Sequence, residues 1–167
     1  MHKILSLLVR NHPGVLSHVA GLFTRRGYNI ESISAGETAN PAITRITLVV
    51  GEDEAVIEQV SKQIRKLIDV VKVQELTYEG SITRELLLLA IYVSASKRED
   101  VISIANTFGA TVVDISEKIM TLEISGNSLK INTIIRALGN YKIKELARTG
   151  LVALPLESML EQQKKSP

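Results

Sequence analysis

This chain of 167 residues has no Cys and no Trp, only three His, and aromatic residues make up 4% of it. The absence of cysteine excludes disulfides, thiolate zinc sites, iron–sulfur clusters and cysteine nucleophiles. The net charge is only +2, because 20 Lys and Arg face 18 Asp and Glu, so electrostatics do not favour a nucleic-acid partner. RNA-recognition modules also stack bases on aromatic side chains of a sheet, and the strands expected at residues 4–9 and 43–50 contain none.

Long hydrophobic runs are missing as well. The longest uninterrupted apolar run, residues 86–93, is far shorter than the ~20 residues that cross a bilayer. The apolar stretch at residues 4–9 is followed by a turn sequence, Asn11-His12-Pro13-Gly14, rather than by a signal-peptide cleavage site. We therefore expect a cytoplasmic protein with no membrane partner.

Apolar residues along the chain follow two alternating periodicities. Short apolar runs predict strands, and apolar residues spaced at i, i+3, i+4 and i+7 predict amphipathic helices. The first such stripe is Leu16, Val19, Ala20 and Phe23, with Gly27 as the expected stop of its helix. For the first half the predicted order is strand 4–10, helix 13–26, strands 28–35 and 43–50, helix 52–67 and strand 70–78.

The second half repeats the same order of elements. We predict strand 84–95, a helix over 101–108 that Gly109 ends, a hairpin of strands 111–115 and 118–124, helix 131–138 and strand 143–153. Strand, helix, strand, strand, helix, strand is the ferredoxin-like βαββαβ arrangement. The expected fold is therefore α+β with two such domains, residues 1–79 and 80–160, followed by a flexible tail, residues 161–167.

Motifs of catalysis and nucleotide binding are missing from the sequence. It contains no Gly-rich nucleotide loop after a strand, no Walker loop, no nucleophile elbow and no zinc-protease motif. His12 and His18 lie six residues apart across a Pro-Gly turn, which is a poor spacing for a shared metal, so we interpret them as surface or capping residues. We expect no catalytic residues and no metal site.

The junction at residues 11–16 is the strongest candidate for a binding site. Gly14 permits close approach of the backbone, and the helix that starts there offers orphan N–H groups to a carboxylate. Asn11 precedes this helix and Asn29 follows it, and two Asn side chains near one helix N-terminus could bind an ammonium and a carboxylate together. The alternative interpretation is structural: Asn11 as an N-cap or turn former, and Asn29 as the first residue of a strand.

Two sets of segments identify a family resemblance. Asn11-x-Pro13-Gly14-Val15-Leu16 and residues 21–33, GLFTRRGYNIESI, resemble the N-terminal ACT domain of the small, regulatory subunit of acetolactate synthase (acetohydroxyacid synthase). Residues 84–86 (REL), 113–115 (VDI), 123–126 (EISG) and 145–150 (ELARTG) resemble the C-terminal domain of that family. The resemblance extends through about residue 156.

The resemblance implies a homodimer of ACT domains paired side by side, with feedback inhibitors, chiefly valine, bound at their interface. Carried over to this sequence, the effector-binding positions are Asn11, Gly14, Val15 and Leu16 of one chain and Asn29 and Ile30 of the facing chain. The backbone at Gly14 and Val15 is expected to hold the effector carboxylate. Asn11 and Asn29 are expected to hold the ammonium, and Leu16 and Ile30 to line the side-chain pocket.

The implied function is that of a non-catalytic regulatory subunit in the biosynthesis of valine, leucine and isoleucine. Such a subunit activates the large catalytic subunit of acetolactate synthase and confers inhibition by valine. Thiamine diphosphate, Mg²⁺ and FAD are expected on that partner, and no cofactor is expected on this chain.

Two other functions fit the sequence less well. A stand-alone ACT-type amino-acid sensor, acting on another enzyme or on transcription, would not need the segment at 145–150. A small enzyme on a ferredoxin-like scaffold would need a cluster of titratable groups, which the pattern does not offer. The chain departs from the family's usual residues at His18, Ala90 and Pro155-Leu156; the last two fall in the domain expected to contact the catalytic subunit.

Overall fold

The computed structural model describes residues 3–157, which contain nine strands and four helices. These residues divide into two compact units, the first comprising residues 3–82 with 151–157 and the second residues 83–150. None of the helices in the described part of the chain is long and apolar enough to cross a membrane.

The first unit is a four-stranded antiparallel sheet with two helices. Its elements are β1 (Lys3–Arg10), α1 (Val15–Arg26), β2 (Ile30–Glu37), β3 (Ile43–Val50), α2 (Glu54–Ile64) and β4 (Val70–Leu76). The strand order is β2-β3-β1-β4, with β2 and β4 at the edges. This is the ferredoxin-like topology that the sequence predicts.

Alternation along β1 supplies the core of this unit. Leu5, Leu7 and Val9 point to one face, where they pack with the buried side chains of α1 and α2. Helix α1 presents Val15, Val19 and Phe23 to this core, whereas Leu16 is 45% exposed. The buried row of α1 therefore begins at Val15 rather than at Leu16, the residue that the periodicity suggests.

The second unit repeats the topology. After β5 (Ser81–Tyr92) come a short 3₁₀ turn (Ala95–Lys97), α3 (Arg98–Thr107), β6 (Thr111–Ile115), β7 (Ile119–Gly126), α4 (Ser128–Ala137) and β8 (Ile143–Arg148). The strand order is β6-β7-β5-β8, and the side chain of Asn127 caps α4 by accepting a bond of 2.9 Å from the backbone N–H of Lys130. The prediction of an α+β protein with two ferredoxin-like domains is confirmed.

The prediction of a single last strand over 143–153 is wrong. Strand β8 ends at Arg148, and a separate strand β9 (Val152–Pro155) pairs with β5. Between them, Gly150 has φ +82°, a backbone conformation that breaks a strand and that only glycine adopts without strain.

Residues 151–157 belong to the first unit because of what they bury. Leu151 and Ala153 join Ile4, Val49 and Leu76 in an apolar cluster on the face of the first sheet that the helices leave open. The backbone N–H of Leu151 also donates to Ser32 Oγ at 2.9 Å. The domain bounds expected from the sequence, 1–79 and 80–160, stay a prediction, and the expected tail, 161–167, lies outside the described residues.

A partly buried ion pair joins two of the segments that the sequence singles out in the second half. Arg148 at the end of β8 donates through Nε and Nη2 to the two carboxylate oxygens of Glu85 on β5, at 2.9 and 2.5 Å. Its Nη1 donates to Asn132 Oδ1 on α4 at 3.2 Å. Glu85 is only 6% exposed, so this bidentate pair fastens β8 and α4 to the central strand of the sheet.

Candidate functional site

The loop from β1 to α1 is held in place by backbone hydrogen bonds at its start. The N–H of Asn11 donates to the carbonyl of Ala42 at 2.8 Å, which ties the loop to the turn between β2 and β3. Gly14 then occupies the N-cap position of α1 with φ +91°. Because any side chain there would be strained, the left-handed backbone explains why this position holds glycine.

Apart from Val15, the first turn of α1 is exposed, and it is the positive end of the helix dipole. No side chain caps α1, and its first turn contains no acidic residue. The first helical bond of this turn runs from the N–H of His18 to the carbonyl of Gly14 at 3.0 Å, while the N–H of Val15 makes only a long contact of 3.5 Å to the carbonyl of His12. Helix N–H groups without good partners can bind a carboxylate.

The side chain of Asn11 ties this loop to β2. Its Nδ2 donates to Glu37 Oε1 at 3.3 Å and to the carbonyl of Pro41 at 3.0 Å. Asn11 is therefore not the N-cap of α1, and its amide is oriented by the end of β2 and the following turn. Since both donors are directed to these two acceptors, Oδ1 is the atom of Asn11 that can accept a hydrogen bond from an ammonium group.

The remaining predicted site residues fall into two places. Val15 is buried and packs into the core, so only its backbone faces the loop, whereas Leu16 is exposed beside it. Asn29 is exposed just before β2, and Ile30 packs partly against the core.

The structure does not bring these two groups together within one chain. Gly14 and Asn29 flank opposite ends of α1, whose 12 residues span about 18 Å. The register of the sheet shows the same separation. Ile30 pairs with Val50, and Val50 pairs with Lys3 at the start of β1, whereas the loop with Gly14 follows Arg10 at the other end of β1. A single site that contains all six positions needs Asn29 and Ile30 from a second copy.

Sequence reasoning missed a cluster of two histidines around Asp69, in the turn before β4. His12 Nε2 lies 2.7 Å from Asp69 Oδ1, and His18 Nδ1 lies 3.1 Å from Asp69 Oδ2. The backbone carbonyl of Asp69 accepts from the N–H of Arg10 at 2.8 Å. The one signal in the sequence is an acidic residue between Ile68 and Val70 in an apolar segment, and it does not reveal which partners Asp69 has.

These contacts shift the acid–base equilibria of the cluster. The hydrogen bond to the Pro13 carbonyl, and next the bond to Asp69, raise the pKa of His12, although partial burial and the charge of Arg10 oppose the rise. The hydrogen bonds from His12 and then His18 lower the pKa of Asp69. Across residues 3–157, no group of three or more His, Asp and Glu side chains is arranged to hold a metal ion.

The first unit combines the ferredoxin-like topology with an uncapped helix N-terminus beside an edge strand. Residues 5–72 match the family model described as the small subunit-like ACT domain of AHAS (acetohydroxyacid synthase), and residues 84–157 match the model of the small subunit of acetolactate synthase. The chain belongs to the acetolactate synthase small-subunit family.

Individual relatives agree with this assignment. The chain is 46% identical over 152 residues, 90% of each chain, to the "Probable acetolactate synthase small subunit" of Methanothermobacter thermautotrophicus. It is 44% identical over 161 residues, 96% of this chain and 84% of the relative, to the acetolactate synthase small subunit of Aquifex aeolicus. The crystal structure of the Thermotoga maritima small subunit superposes with a TM-score of 0.87 at 35% identity, covering 93% of this chain and 98% of that one.

Proposed function

We propose that this regulatory subunit binds a branched-chain amino acid, valine foremost, between two copies of its first unit. The observation that carries the proposal is the uncapped N-terminus of α1 at Gly14, beside an Asn11 side chain that is already oriented by β2. Through this site the amino acid inhibits the catalytic subunit that the chain also activates.

Edge strand β2 supports the pairing of two copies. An antiparallel, two-fold pairing of β2 with its counterpart would place the start of one β2 beside the end of the other. Ile30 starts this strand and Glu37 ends it, and Glu37 is the residue that accepts from Asn11. The pairing would therefore bring Asn29 and Ile30 of the second copy to the loop of the first, and it would also cover an exposed sheet edge.

The groups collected in this way match the three parts of an aliphatic amino acid. The N-terminus of α1 at Gly14 and Val15 binds the carboxylate, and Gly14 leaves open space because nothing lies within 4 Å of where its Cβ would stand. The amide oxygens of Asn11 and Asn29 accept from the ammonium. The side chains of Leu16 and Ile30 contact the branched aliphatic group.

The catalytic partner carries the chemistry in this proposal. Thiamine diphosphate, Mg²⁺ and FAD bind to the large subunit, this chain holds no cofactor, and the complex works in the cytoplasm. An effector that bridges two copies can bias their relative orientation, and such coupling between effector and partner is reciprocal for binding. The match of residues 84–157 to the small-subunit model favours this function over a stand-alone amino-acid sensor.

A thermal-shift screen of the full chain against the standard amino acids tests the proposal. A ligand at about 100 times its Kd stabilises the folded state by about 2.7 kcal/mol, which raises the Tm of a chain of this size by roughly 5–10 °C. We expect such a rise with valine, and smaller or equal rises with leucine and isoleucine.

Glycine and alanine are the matched controls, because they carry the same ammonium and carboxylate without a branched side chain. They should leave the Tm unchanged at the same concentration. A flat response to all three branched amino acids would overturn the proposal, and an equal response to glycine would overturn the role of Leu16 and Ile30.

A further inference from the structure

The ring of His12 bridges two groups that can only accept hydrogen bonds. Its Nδ1 lies 2.9 Å from the carbonyl oxygen of Pro13, and its Nε2 lies 2.7 Å from the carboxylate oxygen Oδ1 of Asp69. A neutral imidazole carries one N–H and can donate to only one of them, whereas the imidazolium cation donates to both. The observed geometry is therefore satisfied only when His12 is protonated.

The Pro13 carbonyl belongs to the same peptide group as the N–H of Gly14. No peptide bond in the described chain is cis, and in a planar trans peptide the C=O and N–H point in opposite directions. A hydrogen bond from His12 that fixes the Pro13 carbonyl therefore also fixes the direction of the Gly14 N–H. That N–H is a donor to the effector carboxylate in the proposed function.

We propose that His12 is a positioning residue for the effector site: its protonated ring, anchored on Asp69, orients the Pro13–Gly14 peptide for the carboxylate of the bound amino acid. The inference rests on the proposed function and adds to it a proton that binds together with the effector. When the ring loses this proton, one of its two hydrogen bonds is lost. His12 then no longer binds either the Pro13 carbonyl or the Asp69 carboxylate.

Asp69 is suited to be the anchor. It is only 7% exposed, and its second oxygen is held by His18 of α1 at 3.1 Å. The carboxylate therefore joins the loop, the helix that starts the site, and, through its own backbone, the end of β1.

Charged groups from each neighbouring element act on His12. Asp69, from the turn before β4, favours the protonated ring, and Arg10, at the end of β1, disfavours it. His18 from α1 shares Asp69, and Glu37 of β2 is engaged by the neighbouring Asn11. The balance raises the pKa of His12 above its usual 6.5.

Proton and effector binding must then be linked, and the sign follows from the geometry. Effector affinity is highest below the pKa of His12, where the ring donates both hydrogen bonds, and falls as the pH rises through that pKa. By reciprocity, bound effector raises the pKa of His12 further.

The test is calorimetric titration of the full chain with L-valine at several pH values between about 6 and 8.5. We expect the Kd of the wild-type chain to rise by about three- to tenfold over this range. A single linked proton changes the affinity by at most tenfold per pH unit, and only while the pH lies between the pKa of His12 in the free chain and its higher pKa in the complex. His12→Gln removes the titrating ring, so its Kd should vary by less than about twofold and should equal or exceed the wild-type value at the highest pH.

His18→Gln is the matched control, because it removes a histidine from the same carboxylate without touching the Pro13 carbonyl. Its Kd should retain the wild-type dependence on pH. Histidine ring signals in NMR, followed with and without valine, provide a second readout: the pKa of His12 should rise on saturation.

Each result has a distinct meaning. A Kd that rises equally with pH in wild-type and His12→Gln chains, or a flat wild-type profile, overturns the role of His12 while leaving the effector site intact. If the wild-type chain binds no valine at any pH, the proposed function itself fails, and the role of His12 fails with it.

Discussion

Replacing Gly14 with Asp is expected to abolish valine binding, with a loss of affinity of at least about 100-fold. The substitution puts a carboxylate at the N-terminus of α1, where the effector carboxylate is proposed to bind, and like charges in direct contact cost several kcal/mol. The space for the new side chain exists in the subunit alone, since nothing lies within 4 Å of the Cβ position. Calorimetry with L-valine measures the loss directly.

Gly109→Asp is the matched control for this experiment. Gly109 also has a left-handed backbone, with φ +60°, and it follows α3 in the second unit, outside the residues assigned to the effector site. Both substitutions carry a similar backbone strain of about 1 kcal/mol, so a comparison of the two separates strain from charge at the site. Wild-type affinity in Gly14→Asp would contradict the proposed position of the carboxylate.

Replacing Arg148 with Met is expected to destabilise the second unit by about 2–3 kcal/mol. The substitution leaves the Glu85 carboxylate buried without its partner, and breaking a buried pair costs roughly 3–5 kcal/mol. We expect a smaller loss than this for Arg148→Met, because the side chain of Arg148 is 33% exposed and solvent screens part of the interaction. Urea unfolding at fixed protein concentration measures the free energy of unfolding. Urea is uncharged, so it does not screen the ion pair as a guanidinium salt would.

Two further variants make this test specific. The double substitution Glu85→Leu with Arg148→Met should recover much of the loss, because it removes the buried charge as well as its partner. Lys97→Met, which breaks the exposed pair with Asp100 in the same unit, should leave the unfolding midpoint unchanged. An Arg148→Met chain as stable as Lys97→Met would show that the bidentate pair does not stabilise this unit.

The alternation of elements could be predicted from the sequence because periodicity reports burial along a single strand or helix. The break in the last strand could not, since residues 143–153 are apolar enough to continue and the break depends on the backbone of Gly150. The break in the strand also depends on tertiary packing, because Leu151 and Ala153 cover the face of the first sheet that its helices leave open. Local pattern does not report which surface a strand will cover.

Part of the candidate site could likewise be predicted from the sequence, and part could not. The junction at Gly14 stands out because glycine, proline and asparagine meet before a helical stripe. The pairing of Asp69 with His12 and His18 was not predictable, because these residues are 57 and 51 positions apart and meet only when β4 docks against β1. The spacing of the two histidines in the sequence does not reveal the carboxylate of Asp69 that lies between them.

The activity of the cognate catalytic subunit of acetolactate synthase tests the regulatory role of this chain most directly. It is measured alone, with this chain added, and with this chain plus valine. The same series is run with Asn29→His, which changes a residue on the second copy's side of the proposed interface. That variant should weaken inhibition by valine and preserve activation, since Asn29 is exposed and is assigned to the effector rather than to the catalytic partner.

The predicted result is a rise in activity on addition of the wild-type chain, a fall on addition of valine, and with Asn29→His the same rise with a weaker fall. Loss of activation together with inhibition in Asn29→His would make Asn29 a structural residue. A catalytic subunit whose activity responds neither to the wild-type chain nor to valine in its presence would contradict the regulatory role altogether.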